Sequence, residues 1–469
     1  MRVRSRDSTG TSRAVAVVVL SKAIVASALL ASPLANAQSY TLDAALAFAR
    51  AHLPQIRAAH AALAARRADE RVPGGAWLPR IGATAQIFES TVNNTTGVDI
   101  GAPDVPLYRI SSTKAAGTTA WRPYGSTMIG LGATQELFDF GKIAAQRAIA
   151  DASVRGAVQD ERAEELDLVR DVEVAFYAAL AARAVVASAQ AANQRASVHF
   201  ALAQDGVRVG MRPTIEVKRA GADLARSNVA LARAQGGLDV ARATLATSMG
   251  AADADVDAVT ATAMLEPLPS LADALARAQH DSPDVLGSRA QLDAAHARTH
   301  ELATRLRPDI FATASVFSMA GGATPSSGGL PSGDGFAPSV ANWDVGVVLA
   351  WPIFDGTVTR ARDAAAADEA VHANEVDVAE QRATIAVRDA LVDARVADDA
   401  IASLQESADA ARANDEEAES RFKSGVGTSV ELADAEALRT DAEIQLAVGT
   451  FEQFRTRAIL NRAIAKEAP

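Results

Sequence analysis

The chain contains no cysteine among its 469 residues. Disulfide bonds, thiolate zinc sites and cysteine nucleophiles are therefore excluded. Aromatic residues make up only 4% of the chain, too few for a large core of the usual kind. Alanine dominates the apolar residues instead, so helices can approach one another closely although each contact buries little area. The net charge of −11 gives no basic surface for nucleic acid.

Long hydrophobic runs are also scarce. Beyond the N-terminus we expect no apolar run of about 18 residues, so any membrane crossing by the rest of the chain would need β-strands. The N-terminus carries several arginines, an apolar stretch over 23–34 and the small-residue sequence Ala35-Asn36-Ala37. This pattern predicts a signal peptide over 1–37, since the stretch is too short for the alternative, a membrane anchor. No cysteine follows the predicted cleavage site, so N-terminal lipidation is not expected.

Glycine and proline are absent between Gly356 and Gly425. This segment predicts one unbroken helix of roughly 100 Å, which no compact domain requires. Its apolar residues recur at seven-residue spacing, which is typical of a coiled-coil seam: Val378, Ile385 and Val392, followed by Val396. A tight turn is expected over 424–428, and a returning helix from Ser429. The sequence therefore predicts a long helical hairpin.

The rest of the chain alternates helical and strand patterns. Helices are expected over 41–72, interrupted near Pro54, over 142–204, and from Pro213 to about 250. A further helical stretch is expected over 271–306. The predicted strands are 81–89, 128–138, 310–317 and 343–353, with long loops over 90–125 and 320–339.

The pattern of the first half restarts in the second. Pro54 and Pro79 match Pro283 and Pro308 at one offset, while Gly210 and Glu216 match Gly425 and Glu431 at another. A Phe-Asp pair follows the second strand in both halves. We therefore expect an internal duplication after the signal peptide, with one repeat over 38–255 and the other over 256–469. Each repeat would pack one long helix against two shorter ones placed end to end.

The clearest strand alternates large apolar residues with small or polar ones. Trp343, Val345, Val347, Leu349 and Trp351 would share one face, with the tryptophans about 26 Å apart. This distance approximates the height of a lipid-facing apolar band that has aromatic residues at both margins. The alternative is an amphipathic strand in a soluble sandwich. Four strands cannot close a barrel within one chain, so a membrane barrel would require several copies.

These features together resemble the outer-membrane efflux protein family, the TolC-like channel-tunnels. The resemblance rests on the duplicated plan, the Leu78-Pro79 start of the first strand, the Phe138-Asp139 end of the second, and the turns around Gly210 and Gly425. It implies an α+β membrane protein: a homotrimer with a transmembrane β-barrel of four strands per chain and a long coiled-coil α-helical barrel. The implied location is the outer membrane of a Gram-negative bacterium, with the helices in the periplasm. The implied partners are lipid, a periplasmic adaptor protein and an inner-membrane transporter.

The resemblance also assigns roles to the turns. Gly210, Gly425 and Gly427 would form the tips on which the adaptor docks. The acids Glu431, Asp434 and Glu216 would form a gate that attracts cations where the tunnel is narrowest. The alternative for Glu431 and Asp434 is negative charge that complements the dipole at the start of the returning helix. The chain departs from the family pattern at two places, because Gly427 stands where a basic residue is common and Arg212-Pro213 follows the first tip.

No catalytic or metal site is expected. His296 and His300 have the helical spacing of a metal pair, but no third ligand is near in sequence. No nucleophile motif or phosphate loop appears, so we expect neither an enzyme nor a cofactor. The predicted function is a passive export duct of a tripartite efflux or type I secretion system. The alternative is a soluble periplasmic coiled-coil protein, and drugs, metal ions and polypeptides all remain open as cargo.

Overall fold

A computed structural model describes residues 38–90, 124–251, 255–259, 265–321 and 341–466. The predicted signal peptide and most of both predicted loops lie outside these residues. The described first part consists of β1 (Gln38–Tyr40), α1 (Leu42–His52), α2 (Pro54–Asp69), a 3-10 turn (Pro73–Trp77), β2 (Arg80–Ser90), β3 (Tyr124–Phe138), α3 (Lys142–Arg208) and α4 (Ile215–Ser248). The second part consists of β4 (Val256–Ala258), α5 (Leu271–Asp281), α6 (Pro283–Thr304), β5 (Asp309–Gly321), β6 (Ala341–Ala350), α7 (Gly356–Lys423) and α8 (Ser429–Ala463).

The long helices agree with the sequence pattern. α3 has 67 residues and α7 has 68, and each is followed by a tight turn and a returning helix. The predicted helices over 41–72 and 271–306 are each divided in two, and Pro54 and Pro283 begin the second pieces. Proline favours this position because its missing N–H is not needed in the first turn of a helix.

The expectation of no further long apolar run was wrong. α3 contains an 18-residue window with a mean hydropathy of 1.5, of which 28% is buried in the single chain. By length and composition this helix qualifies to cross a membrane, but the core helix of a soluble protein meets the same criteria. α3 is rich in alanine, which is apolar on a hydropathy scale but lacks the bulk of the usual membrane-spanning residues.

The chain divides into two compact units, and both long helices contribute to each. One unit comprises Met1–Leu53, Leu168–Leu268 and Asp393–Ile459. The other comprises Pro54–Asp167, Pro269–Val392 and Leu460–Pro469. Each unit therefore draws on both predicted repeats.

The first unit contains a small parallel sheet that the sequence analysis did not predict. β1 pairs with β4 over three residues. Asp257 of β4 is held by Arg183 and by Arg242, whose Nη2 lies 2.7 Å from Oδ2. Burial alone would raise the pKa of Asp257, but hydrogen bonds and charge from the two arginines lower it. Three-residue strands lack enough alternation to be recognised in a sequence.

The same unit contains the two helix turns and an alanine-lined contact between α7 and α8. Ala408, Ala411 and Ala442 are buried there, with Leu446 packed against them. Alanines at the contact allow close approach of the helices, as the composition predicted.

The second unit contains a four-stranded antiparallel sheet in the order β2-β3-β5-β6. Its register places Leu131 opposite Val316, and Ala314 opposite Val345. One face is apolar and exposed in the single chain, with Ile81, Ile129, Leu131, Val316, Trp343, Val345, Val347 and Leu349. The other face carries Thr84, Thr134, Thr313, Ser315 and Asp344. The predicted two-sided alternation is therefore confirmed.

The strand predicted over 343–353 ends earlier, at Ala350. Trp351 lies just beyond it, and its indole Nε1 donates to the Leu306 carbonyl at 3.2 Å. Pro352 explains the shortening, because proline has no N–H for a ladder and restricts the residue before it.

The Phe-Asp pairs connect the sheet to the long helices. Asp139 accepts hydrogen bonds from the backbone N–H groups of Gly141 and Ile143 at the start of α3. Asp355 accepts from Thr357 N at 2.8 Å at the start of α7. A carboxylate in this position satisfies free N–H groups at a helix N-terminus and favours its dipole. The repeated motif thus begins a long helix in both halves, directly after the strand in the first half and five residues after the last strand residue, Ala350, in the second.

Candidate functional site

The turns between the paired helices share one backbone geometry. Gly210 and Gly425 have φ of +77° and +78°. The next residue in each turn closes back onto the helix, with Met211 N donating to the Gly206 carbonyl at 2.9 Å and Val426 N to the Arg421 carbonyl at 3.1 Å. This is a glycine C-terminal cap, in which a left-handed residue ends the helix.

The glycines differ in the space around them. No neighbouring atom lies within 4 Å of an added Cβ at Gly210 or Gly425. At Gly427, an added Cβ would lie 3.0 Å from Phe422 N and 3.1 Å from the carbonyl carbon of Arg421. Gly427 therefore has a packing role within its own turn, and a docking role for all three glycines stays a prediction.

The predicted gate acids lie in three different environments. Glu431 forms a capping box with Thr428: its N donates to Thr428 Oγ1 at 3.2 Å, and its Oε2 accepts from Thr428 N at 3.3 Å. Asp434 is exposed in the single chain. Glu216 is ion-paired with Arg212 at 2.9 Å. Glu216 and Asp434 line one cavity, which Glu431 does not line.

Arg212 joins the two helix pairs at the turns. Its guanidinium carbon lies 3.8 Å from the centroid of the Phe422 ring, and Nη2 donates to the Phe422 carbonyl at 3.3 Å. Phe422 is buried at the end of α7. The departure from the family pattern at Arg212 thus provides a cation–π and hydrogen-bond contact between the first turn and the second helix pair.

Comparison with known families identifies the chain. The sequence profile of the outer membrane efflux protein family matches residues 45–251 and 274–465, most of the chain. The chain belongs to this family. It is an outer-membrane channel component of an efflux system, and the family is one of channels rather than enzymes. No curated protein matches the sequence.

Solved channel structures share the fold of this efflux protein. The outer-membrane channel OprN is 21% identical, with 91% of this chain and 90% of that chain covered and a TM-score of 0.72. VceC from Vibrio cholerae is 18% identical, with 90% and 96% covered and a TM-score of 0.70. The MtrE channel of Neisseria gonorrhoeae is 21% identical, with 90% and 88% covered and a TM-score of 0.69. These relatives combine a helical barrel with a β-barrel.

A buried charged cluster lies near the tips of the efflux protein, and sequence analysis missed it. His199 Nδ1 lies 3.3 Å from Glu436 Oε1, which joins α3 to α8. Asp415 of α7 is buried and paired with Arg439 of α8 at 3.0 Å. Charged residues occur all along these helices, and a single sequence does not distinguish those that face a neighbouring helix.

Burial changes the protonation of this cluster. It raises the pKa of Glu436 to about 7, with the negative charge of Asp415 as the next cause, while Arg195 opposes the rise. Burial lowers the pKa of His199, against the opposing charges of Glu419 and Asp415. A cavity of about 640 Å³ adjoins the pair and is lined by residues of α3, α4, α7 and α8.

In the part of the chain that the structure describes, His296 and His300 are not part of a group of side chains that could hold a metal ion. Within the described ranges, no group of three or more His, Cys, Asp and Glu residues could hold a metal ion. His296 Nδ1 instead lies 2.9 Å from Glu369 Oε1.

We predict that Arg212→Ala loosens the tips. Losing the cation–π contact should weaken the α7 terminus by about 0.5–2 kcal/mol. Amide hydrogen exchange over 420–427 should then accelerate about twofold to thirtyfold. Arg208→Ala is the control, because Arg208 pairs with Asp205 on its own helix. Equal exchange rates in the two variants would show that Arg212 does not join the helix pairs.

Proposed function

We propose that the chain is the outer-membrane duct of a tripartite efflux or type I secretion system and acts as a homotrimer without lipidation. Each copy contributes four strands to a twelve-stranded barrel, and the periplasmic helices pass cargo from an adaptor and an inner-membrane transporter. The observation that carries this proposal is the open four-stranded sheet with an exposed apolar face.

The sheet edges support closure by several copies. Among the described strands, β2 pairs with β3 alone and β6 pairs with β5 alone. The four strands alternate in direction, so β6 of one copy runs antiparallel to β2 of the next. Closure in this way leaves no unpaired edge in the hydrocarbon region, which a membrane barrel requires.

The apolar face of the sheet supports contact with lipid. The exposed fraction ranges from 76% at Trp343 to 59% at Trp351 among the five residues predicted to face lipid. A continuous apolar surface of this kind disfavours the soluble alternative. Trp343 and Trp351 lie at the two ends of this face, as interfacial tryptophans do in membrane barrels.

The helices support packing between copies. Val371, Val378, Ile385 and Val392 recur every seven residues on α7, and all four are exposed in the single chain. A heptad stripe is stable in water when another helix covers it. We propose that the neighbouring copy does so in a helical barrel.

The recurrence of element types supports the internal duplication. In both halves, two short helices precede two strands, a long helix and a returning helix. The matching turn geometry at Gly210 and Gly425 agrees with this proposal.

The barrel proposal predicts that Val347→Arg destabilises membrane insertion. A charge at the middle of the lipid face should cost about 2–4 kcal/mol. Heat-modifiable trimers in outer-membrane fractions should therefore decrease. Val348→Arg, on the opposite face of the same strand, is the matched control and should assemble. Normal assembly of Val347→Arg would contradict the proposal that this face of the strand contacts lipid.

The docking proposal predicts that Gly425→Trp abolishes export while trimers still form. Gly425→Ala is the control, because both variants bear the cost of positive φ, about 1 kcal/mol or more, and only Trp adds bulk. Export is measured by cargo accumulation in cells, and trimers by gel mobility. If the two variants export equally, the adaptor does not approach this glycine.

The gate proposal predicts that Glu431→Gln with Asp434→Asn reduces cation selectivity by at least about fivefold, the effect of losing only one close charge in water. Glutamine retains the side-chain oxygen that caps the helix, so assembly should be intact. Block by multivalent cations should weaken as well. Single-channel recordings provide both readouts, and Glu417→Gln is the control, because Glu417 is an exposed acid of α7 that does not line the cavity beside Glu216 and Asp434. Unchanged selectivity and block would place the gate elsewhere.

A further inference from the structure

His199 and Glu436 form a contact between the two hairpins that the proposed gate does not use. His199 belongs to α3 of the first hairpin and Glu436 to α8 of the second, and their side chains are 13% and 17% exposed. Glu436 Oε1 is buried and accepts no hydrogen bond in this conformation. The imidazole Nδ1 lies against it at 3.3 Å, while the His199 ring stacks near the Phe422 ring at 6.0 Å.

One proton is enough to complete this contact. A protonated carboxyl can donate to a neutral imidazole, or an imidazolium can donate to a carboxylate. Both arrangements contain one proton and have zero net charge, so the proton belongs to the pair. Without that proton, a buried carboxylate would face an imidazole and a nearby second acid, Asp415.

Charged groups face the pair from every helix packed against it. Arg195 lies on α3 and Asp223 on α4, and both affect the ionisation of Glu436. On α7, Asp415, Glu419 and Lys423 act on His199. Arg439 of α8 partly neutralises Asp415. The surroundings are therefore mixed in sign, and burial is the largest influence on both members of the pair.

We propose that His199 and Glu436 share one proton and so join α3 to α8 through a contact whose net charge stays zero at mildly acidic pH. Each residue alone would make the stability of this contact depend on pH, and the two opposite dependences cancel when both residues are present. The contact itself rests on the geometry of one chain, and only the conductance measurement below rests on the proposed duct function.

As the pH changes, the two residues change the stability of the folded state in opposite directions. The pKa of Glu436 is raised from 4.5 to about 7, so its stabilisation is complete below about 4.5 and is lost as the pH rises through about 7. The pKa of His199 is lowered from 6.5, so its stabilisation is complete above 6.5 and is lost as the pH falls through the lowered value. Over the pH range in which both groups titrate, stability falls with rising pH through Glu436 and rises with it through His199.

Two single variants separate the pH dependence due to Glu436 from that due to His199. In His199→Gln only the glutamate remains, so protection of residues 432–440 from hydrogen exchange should fall by up to about tenfold per pH unit between about pH 5 and about pH 7. In Glu436→Gln only the histidine remains, and protection should rise over the same range. The assembled wild-type trimer should change less than either variant. Glu416→Gln, an exposed acid on α7, is the control and should behave like wild type.

Exchange rates are corrected for the intrinsic effect of pH, and trimers are verified on gels. If His199→Gln does not assemble, Glu436→Gln still decides, because a wild-type profile in that variant overturns the proposal. Slopes of the same sign in both variants would overturn it too. Conductance is recorded on the same samples. If hydrogen exchange depends on pH in opposite directions in the two variants but no channel conductance is recorded, the contact between His199 and Glu436 is supported and the duct proposal is contradicted.

Discussion

Backbone hydrogen bonding in lipid is the constraint on which this molecule depends. Each N–H and C=O in hydrocarbon needs a partner, and a four-stranded sheet with two open edges cannot supply all of them within one chain. In the proposed barrel, closure by neighbouring copies would remove those edges, and an even number of alternating strands would make every junction antiparallel. In the proposed trimer, the same symmetry brings three copies of each long helix together, so the heptad stripe on α7 gains its covering surface from the requirement that closes the barrel.

The change from strand to helix is made by one short motif used twice. Asp139 and Asp355 follow the last strand of each half and accept hydrogen bonds from backbone N–H groups at the starts of α3 and α7. Each carboxylate satisfies free N–H groups of the first turn and so favours the start of its helix at that position. Alanine then replaces large side chains along the helices, which permits close contacts such as the one around Ala408 and Ala442. Low aromatic content is therefore a property of the architecture rather than a sign of a weak core.

Periodicity and chain-breaking residues made most of the fold predictable. Pro54, Pro283 and the turn glycines mark real ends of helices, and the alternation around Val347 identifies a real sheet face. The short β1–β4 pair was missed because three residues carry no period, and the strand end at Ala350 depends on Pro352. At the candidate site, the positive φ of Gly425 could be predicted. The contact of Arg212 with Phe422 and that of His199 with Glu436 could not, since both join residues more than two hundred positions apart whose side chains look like ordinary surface charges.

These two contacts join the same hairpins by different chemistry. The Arg212 guanidinium remains charged at any physiological pH, so its contact with Phe422 does not depend on protons. The contact of His199 with Glu436 requires a proton, and its opposing titrations make it insensitive over a limited range of pH. One contact without titration and one with compensated titration would together hold the two hairpins of the proposed duct to each other without depending on acidity over that range of pH.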